Sequence, residues 1–204
     1  ANAHVANDAF KVWAAEAREK GAALILSQHG GHTGTGKWCL GENHELAIAD
    51  RYFSWGWKDA EHVMPLPGGK LTKFRTRPDP DGRILLVMNG FVRYFYRAFT
   101  IPIAGQALSY LEDQIRFLKA LAPECGRLVT VRPYPFDFGW GDMERLRERV
   151  PWVDIAKNPP SMSRHLQDAR LYVGNHNTTT YLETLAANFP TIVFWNDKHW
   201  ELRP

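Results

Sequence analysis

Cysteine and long apolar runs are both scarce in this 204-residue sequence. The two cysteines, Cys39 and Cys125, lie far apart, so they provide neither a disulfide framework nor the spacing of a zinc site, and they fit a reducing compartment. No apolar run approaches the roughly 20 residues that cross a bilayer. The first residues also lack the basic and then apolar pattern of a secretory signal. These absences predict a cytoplasmic protein.

An excess of one charge is missing as well. Lysine and arginine number 25 against 22 aspartates and glutamates, which gives a formal net charge of +3. Because the sequence has no long run of basic residues, it does not predict a nucleic-acid groove. The small positive balance suits an anionic small molecule or an interfacial location. An apolar content of 45% is enough for a globular core.

Hydrophobic spacing predicts α/β structure in the first part of the chain. An amphipathic helix is expected over residues 6–20, followed by a short buried strand at 22–27. A helix at about 42–50 and a strand at 51–56 come next. This segment is too short to be a whole domain.

Residues 58–82 are rich in proline and glycine, which favours an inter-domain connection. From residue 83 onward, strands and helices alternate in the order β-α-β-α-β-α-β-α-β. This succession predicts a doubly wound parallel sheet with right-handed crossovers. The predicted strands are 83–88, 128–135, 153–155, 171–173 and 191–194, with helices at about 104–122, 141–149 and 161–168 and another after the turn at 174–180.

The segment 171–194 carries the most information. A strand runs into the polar turn 174–180, a helix follows, and a second buried strand ends the unit. The amino end of such a helix favours a phosphate, because its unpaired N–H groups and its dipole attract negative charge. Asn and Thr at the turn can cap the helix and still face a ligand. The alternative interpretation is a well-capped helix in any α/β domain.

The turn Gln28-His29-Gly30-Gly31 directly follows the first strand. Gly30 and Gly31 let the backbone approach a ligand, and His29 can act as a general acid or base near neutral pH. A strand-end histidine beside a flexible loop is the alternative. A metal site formed by His29, His32, His44 and Glu45 is also open, although nothing fixes its geometry. The stretch 31–37 is not a nucleotide-triphosphate loop, since Trp38 replaces the required Ser or Thr.

Polar residues follow three strands of the predicted parallel sheet. Carboxyl ends of parallel strands meet at one edge, so these guanidinium, hydroxyl and amide groups are expected to converge on an anionic ligand. Glu183, one turn into the following helix, is close enough to accept from the hydroxyls of a ribose, and a solvated helix carboxylate is the alternative interpretation. The converging residues are Asn89 with Arg93 and Arg97, Arg132 with Tyr134, and Asn175, Asn177, Thr178, Thr179 and Thr180.

Five motifs in this order resemble a family of bacterial transferases of surface-carbohydrate biosynthesis, which looks like a GT-B glycosyltransferase. The likeness to teichoic-acid glycerophosphotransferases and to transferases that use CMP-linked sugars is more distant. The motifs are QHGG at 28–31, Glu42-x-x-Glu45, ADRYFSWGW at 49–57, VRPYP at 131–135 and the run 174–195.

The resemblance implies two Rossmann-like domains facing each other across a cleft. Residues 1–57 would be the last portion of the amino-terminal domain, 58–82 the linker, and 83–204 a truncated carboxyl-terminal domain that binds the nucleotide-linked donor. The chain is then expected to be a piece of a longer protein, with acceptor recognition largely in the missing part. His32 departs from the aromatic residue or glycine expected in similar loops.

The resemblance also implies a mechanism without a metal or a cofactor other than the nucleotide-sugar donor, which is a substrate. His29 would remove the proton from the acceptor hydroxyl or donate one to the leaving phosphate, with Glu45 as the reserve base. The turn at 177–180 and Arg132 or Arg93 would stabilise the departing phosphate. The acceptor would be a glycan or a lipid-linked precursor, at a cytoplasmic or membrane-peripheral location. Two rivals are a nucleotide-sugar epimerase or hydrolase on the same scaffold and a non-catalytic nucleotide-sugar-binding module.

Overall fold

The computed structural model describes residues 3–94, 100–157 and 159–204, and it contains two parallel β-sheets with their helices. Arg97, one of the predicted anion-binding residues, lies outside the described residues. In the described part of the chain, none of the helices combines the length and the apolar character needed to cross a membrane.

The first sheet has the order β1-β2-β3, and both strand pairs are parallel. Its longest helix begins after Asn7, whose side chain accepts a hydrogen bond of 2.9 Å from the amide of Phe10 and so caps the helix. The elements of this unit are α1 (Ala3–Ala6), α2 (Asp8–Glu19), β1 (Ile25–Ser27), α3 (Leu40–Ile48), β2 (Arg51–Ser54), β3 (Val63–Pro65) and α4 (Gly69–Thr72).

Two features of this unit differ from the sequence-based expectation. The stretch 58–82 contains β3 and α4 as well as irregular chain, because three residues ended by Pro65 are too few to show a strand period. The prediction of a buried first strand is wrong: Ile25 is 55% exposed, since β1 forms the edge of the sheet. The domain boundaries themselves stay a prediction.

The second sheet confirms the predicted parallel α/β arrangement. Its strand order is β6-β5-β4-β7-β8, every pair is parallel, and the direction of winding reverses between β4 and β7. Its elements are β4 (Arg83–Val87), a 3₁₀ turn (Ala104–Gln106), α5 (Ala107–Ala120), α6 (Pro123–Gly126), β5 (Val129–Arg132), α7 (Asp142–Arg149), β6 (Asp154–Ile155), α8 (Met162–Gln167), β7 (Ala169–Gly174), α9 (Thr179–Ala186) and β8 (Thr191–Val193).

The central strand β4 is buried on both faces. Leu86 packs in the cluster formed with α5 and α7, whereas Leu85 packs on the opposite face with α8 and β7. This alternation follows from the two-residue period of a strand and explains the continuous apolar run at 83–88. The last strand, predicted as buried, is instead an exposed edge: Ile192 is 48% exposed.

Residues 200–204 return to the first unit. Leu202 forms an antiparallel bridge with Gly36, and the Arg203 amide donates to the carbonyl of Thr35 over 2.9 Å. The Arg203 guanidinium lies 2.8 Å from the carboxylate of Glu42. The two sheets are therefore held together by main-chain and side-chain bonds, which fixes the loops between them.

Candidate functional site

The loop after β1 lies directly against the amino end of α9. The Gly31 amide donates to Thr179 Oγ1 over 3.2 Å, and His32 Nδ1 lies 3.0 Å from Asn177 Oδ1. A Cβ atom on Gly31 would lie 2.6 Å from the carbonyl oxygen of Thr178, so the approach requires glycine there. The structure thus brings together two motifs that are separated by most of the sequence.

Gln28 organises this loop, a role that sequence reasoning missed. Its amide nitrogen donates to the carbonyl oxygens of Gly30 at 2.8 Å and Thr33 at 2.9 Å. Its amide oxygen accepts from the Trp55 main chain and from Trp57 Nε1, both at 2.8 Å. Every polar atom of this buried side chain is engaged, which fixes the loop conformation. The available signal was the position of Gln28 directly after a strand, where a buried side-chain amide needs hydrogen-bond partners.

His29 is held at the end of β1 with its imidazole exposed. The main chain is fixed on both sides of His29. The main-chain amide of Gln28 donates to the carbonyl of Phe53 in β2, and that of Gly31 donates to the Thr179 hydroxyl in α9. An exposed imidazole on a fixed backbone beside a helix amino terminus can meet a substrate hydroxyl. This geometry suits a general acid or base.

Tyr110 of α5 spans the point where the winding of the second sheet reverses. Its hydroxyl accepts from the main-chain amide of Asn89 at 2.9 Å and donates to the side-chain oxygen Oδ1 of Asn175 at 2.6 Å. It therefore ties the end of β4 to the end of β7. Burial raises the pKa of this hydroxyl, so it acts as a fixed neutral bridge. Sequence reasoning missed Tyr110, since it appeared as one more apolar position of an amphipathic helix.

The turn before α9 is mostly engaged by protein partners. The amide and hydroxyl of Thr178 lie 3.4 and 2.8 Å from His176 Nδ1, so Nδ1 accepts and Nε2 carries the proton. The Thr180 hydroxyl lies 2.9 Å from that of Tyr172. Burial lowers the pKa of His176 to about 4. Among the described residues, Asn177 Nδ2 and His176 Nε2 are buried donors without a hydrogen-bond partner.

Arg132 and Arg93, the two described arginines of the predicted site, interact with residues outside the contact between the loop after β1 and α9. The Arg132 guanidinium donates to the carbonyl of Pro160, before α8, at 2.7 Å and lies 3.1 Å from Nδ1 of His165 within α8. Burial lowers the pKa of Arg132, while burial and the neighbouring guanidinium lower that of His165. Arg93 is exposed, and its guanidinium lies 5.0 Å from the centre of the Trp140 ring.

Both carboxylates that were predicted to take part in the site, Glu45 and Glu183, have structural partners. Glu45 is buried and bonds to His4 Nε2 at 2.9 Å and to the Tyr52 hydroxyl at 3.1 Å. Glu183 is buried and forms an ion pair with Lys70 of α4, which connects the two units. Among the described residues, no three His, Cys, Asp or Glu side chains are grouped to hold a metal ion.

A pocket of about 270 Å³ opens at the carboxyl ends of β4 and β5, beside the first turn of α7. It brings together Asn89 and Tyr134 of the predicted set. Tyr134 rests on Gly90, where a Cβ atom would lie 2.6 Å from its ring. Sequence reasoning missed the carboxylates of this pocket, Asp137, Asp142 and Glu144, because they lie in a loop and a helix rather than at a strand end.

A polar loop from one parallel sheet thus meets a helix amino terminus on another, and a pocket lies at the neighbouring strand ends of the second sheet. A comparison with curated proteins finds no match. A family model described as LIC12162 family transferase matches residues 1–204. The chain belongs to this family of transferases.

Proposed function

We propose that this transferase moves a glycosyl group from a nucleotide-activated sugar to a hydroxyl of a surface polysaccharide or lipopolysaccharide precursor. The observation that carries the proposal is the contact between the loop after β1 and α9, with Gly31 and Thr179 joined by a 3.2 Å hydrogen bond. That contact sets a candidate base beside a candidate phosphate site.

The departing phosphate is the charge that the site has to stabilise. The side chain of Thr178 does not cap the first turn of α9, so main-chain N–H groups there are available to an anion. Thr179 Oγ1 accepts from the Gly31 amide and keeps its own hydrogen to donate. Each donor aimed at developing charge is typically worth about 3 kcal/mol of barrier.

Arg93 is the better of the two predicted arginines for the phosphate. Arg132 already donates to Pro160, whereas the exposed guanidinium of Arg93 stacks on Trp140 and donates no hydrogen bond to the described residues, so its N–H groups can serve a ligand. Helix dipole and guanidinium together supply positive charge, so the proposed reaction needs no metal ion. Turnover of the full protein is therefore expected to persist in a chelator.

His29 is proposed to take the proton from the attacking hydroxyl. The variant His29→Ala should lower turnover by about 10²- to 10⁴-fold, because general base catalysis typically contributes that much. Donor affinity measured by calorimetry should change little. His44→Ala is the matched control, since His44 bonds to the carbonyl of His4 on another helix and should leave turnover unchanged.

Normal turnover in His29→Ala would remove this residue from the mechanism. Product analysis with and without acceptor tests the reaction class. Sugar released or rearranged without acceptor would instead indicate a hydrolase or an epimerase. Nucleotide binding without any turnover would indicate a binding module.

A further inference from the structure

The pocket at the ends of β4 and β5 lies on the same edge of the sheet as the turn before α9. The strand order places β4 beside β7 and β5 one strand further away. Neighbouring strands are about 4.8 Å apart, so the pocket lies one to two strand spacings from the proposed phosphate site. In open α/β sheets a nucleotide spreads along this edge. A donor with its phosphate at α9 can therefore reach the pocket with its base.

The shape of the pocket suits one flat ring. Its volume of about 270 Å³ is below the roughly 300–1,000 Å³ of pockets for drug-sized ligands. Tyr134 is 39% exposed, lies against Gly90 and stacks on Phe138 with ring centres 5.7 Å apart. Phe136 adds a second exposed aromatic surface. Fixed, partly exposed aromatic rings favour stacking with a nucleobase.

The carboxylates of the pocket determine which polar groups a bound base can direct toward it. Glu144 pairs with Arg147 at 3.9 Å, and one oxygen of Asp137 accepts from the Gly139 amide at 2.7 Å. Asp142 is half-buried, and its carboxylate accepts no hydrogen bond from the described residues. Burial and the nearby Asp137 raise the pKa of Asp142. Both aspartates thus keep acceptor oxygens for a ligand that brings N–H groups.

Carboxylates accept hydrogen bonds and repel carbonyl oxygens, so the pocket discriminates between bases. Guanine, cytosine and adenine carry an amino group with two N–H donors. Uracil instead presents a single N–H between two carbonyl oxygens, and the carboxylates repel those oxygens. We propose that this pocket binds the nucleobase of the donor and selects a base with an amino group over uracil. The inference rests on the proposed function, because it assumes a nucleotide donor.

Calorimetry of the full protein with GDP, CDP, ADP and UDP tests the inference. At least one of the three nucleotides with an amino group should bind about tenfold more tightly than UDP, because its amino group donates to a charged carboxylate where uracil presents a carbonyl oxygen. Asp142→Asn should reduce that preference. Glu148→Gln is the matched control, because this exposed carboxylate of α7 does not line the pocket.

Tyr134→Leu should weaken all four nucleotides together, since stacking does not depend on the edge of the base. Thermal unfolding of each variant verifies that it folds. Tightest binding of UDP, or a preference that survives Asp142→Asn in the folded variant, would overturn the inference while leaving the proposed function in place. Absence of binding by every nucleotide would overturn both.

Discussion

His176 shows how burial controls the chemistry of single residues in this protein. The folded chain takes up its proton with a pKa of about 4, against 6.5 for an ordinary histidine, because the imidazole is shut away from water. As the pH falls below 6.5, His176 is therefore protonated in the unfolded chain while it stays neutral in the folded chain. Folding stability should accordingly be complete above pH 6.5 and be lost progressively toward pH 4.

Denaturant titrations at several pH values test this prediction. Lowering the pH from 7 to 5 should cost about 2 kcal/mol of unfolding free energy through His176. His32 and His165, whose pKa values burial also lowers, add to the loss in the wild type. His176→Gln should therefore have a clearly smaller pH dependence. Equal dependence in the two proteins would show that His176 does not titrate as its burial requires.

Residue types were predictable from the sequence, but partners were not. His29, Gly31 and Thr179 follow strands or precede a helix, so local pattern was sufficient to select them. Glu45 and Glu183 were selected by the same reasoning, yet their carboxylates face His4 and Lys70. Such partners come from distant parts of the chain, and a single sequence contains no local sign of them.

At the scale of elements, the second sheet was predicted well and the sheet edges poorly. Strand β4 is apolar along its length because both faces are covered, and such a run is visible in any window. Edge strands β1 and β8 are equally apolar but lack a cover, and sequence cannot show which face remains open. Strand β3 is too short to have a pattern.

The contact between the loop after β1 and α9 gives a prediction about these elements. Gly31→Ala would set a methyl group 2.6 Å from the Thr178 carbonyl, so the loop must move away from the helix. We expect a loss of about 1–3 kcal/mol in unfolding free energy, as overpacking usually costs, together with reduced turnover. Gly30→Ala is the control, because its methyl group would make an ordinary 3.7 Å contact with Thr179 Oγ1.

Denaturation midpoints and turnover of the two variants provide the measurement. Gly30→Ala should keep both close to wild type. A tolerated Gly31→Ala, with unchanged midpoint and turnover, would mean that the loop and the helix do not need their close contact.

At the scale of the whole molecule, two sheets from separate parts of the sequence are joined by residues 200–204. Sequence patterns predicted the order of elements in the second sheet, but they gave no sign of β3 in the first sheet, of the bridge between Gly36 and Leu202 or of the Glu42–Arg203 pair. Glu42 was selected as part of a motif, and the structure shows a carboxylate that holds the two units together. An acidic residue selected from a motif can thus hold two units together rather than take part in chemistry.

Arg203 provides the test of this joining. Glu42 is 1% exposed, so Arg203→Met leaves a buried carboxylate whose remaining hydrogen-bond partner among the described residues is the main-chain amide of Gly34 at 3.0 Å. We expect Arg203→Met to lower the unfolding free energy by about 3 kcal/mol. This is the lower end of the range for breaking a buried pair, because the Arg203 side chain is 30% exposed. Arg149→Met breaks an exposed pair with Glu112 and should cost below about 1 kcal/mol.

Adding Glu42→Gln to Arg203→Met should restore part of the lost unfolding free energy, because a neutral amide tolerates burial better than an unpaired carboxylate. Denaturant titration of the single and double variants measures this recovery, with Arg149→Met as the reference for an exposed pair. Equal losses in Arg203→Met and Arg149→Met would mean that the buried pair adds nothing to the joining of the sheets. A large loss of unfolding free energy in Arg203→Met alone, partly restored in the double variant, would show that the Glu42–Arg203 ion pair holds the two sheets together.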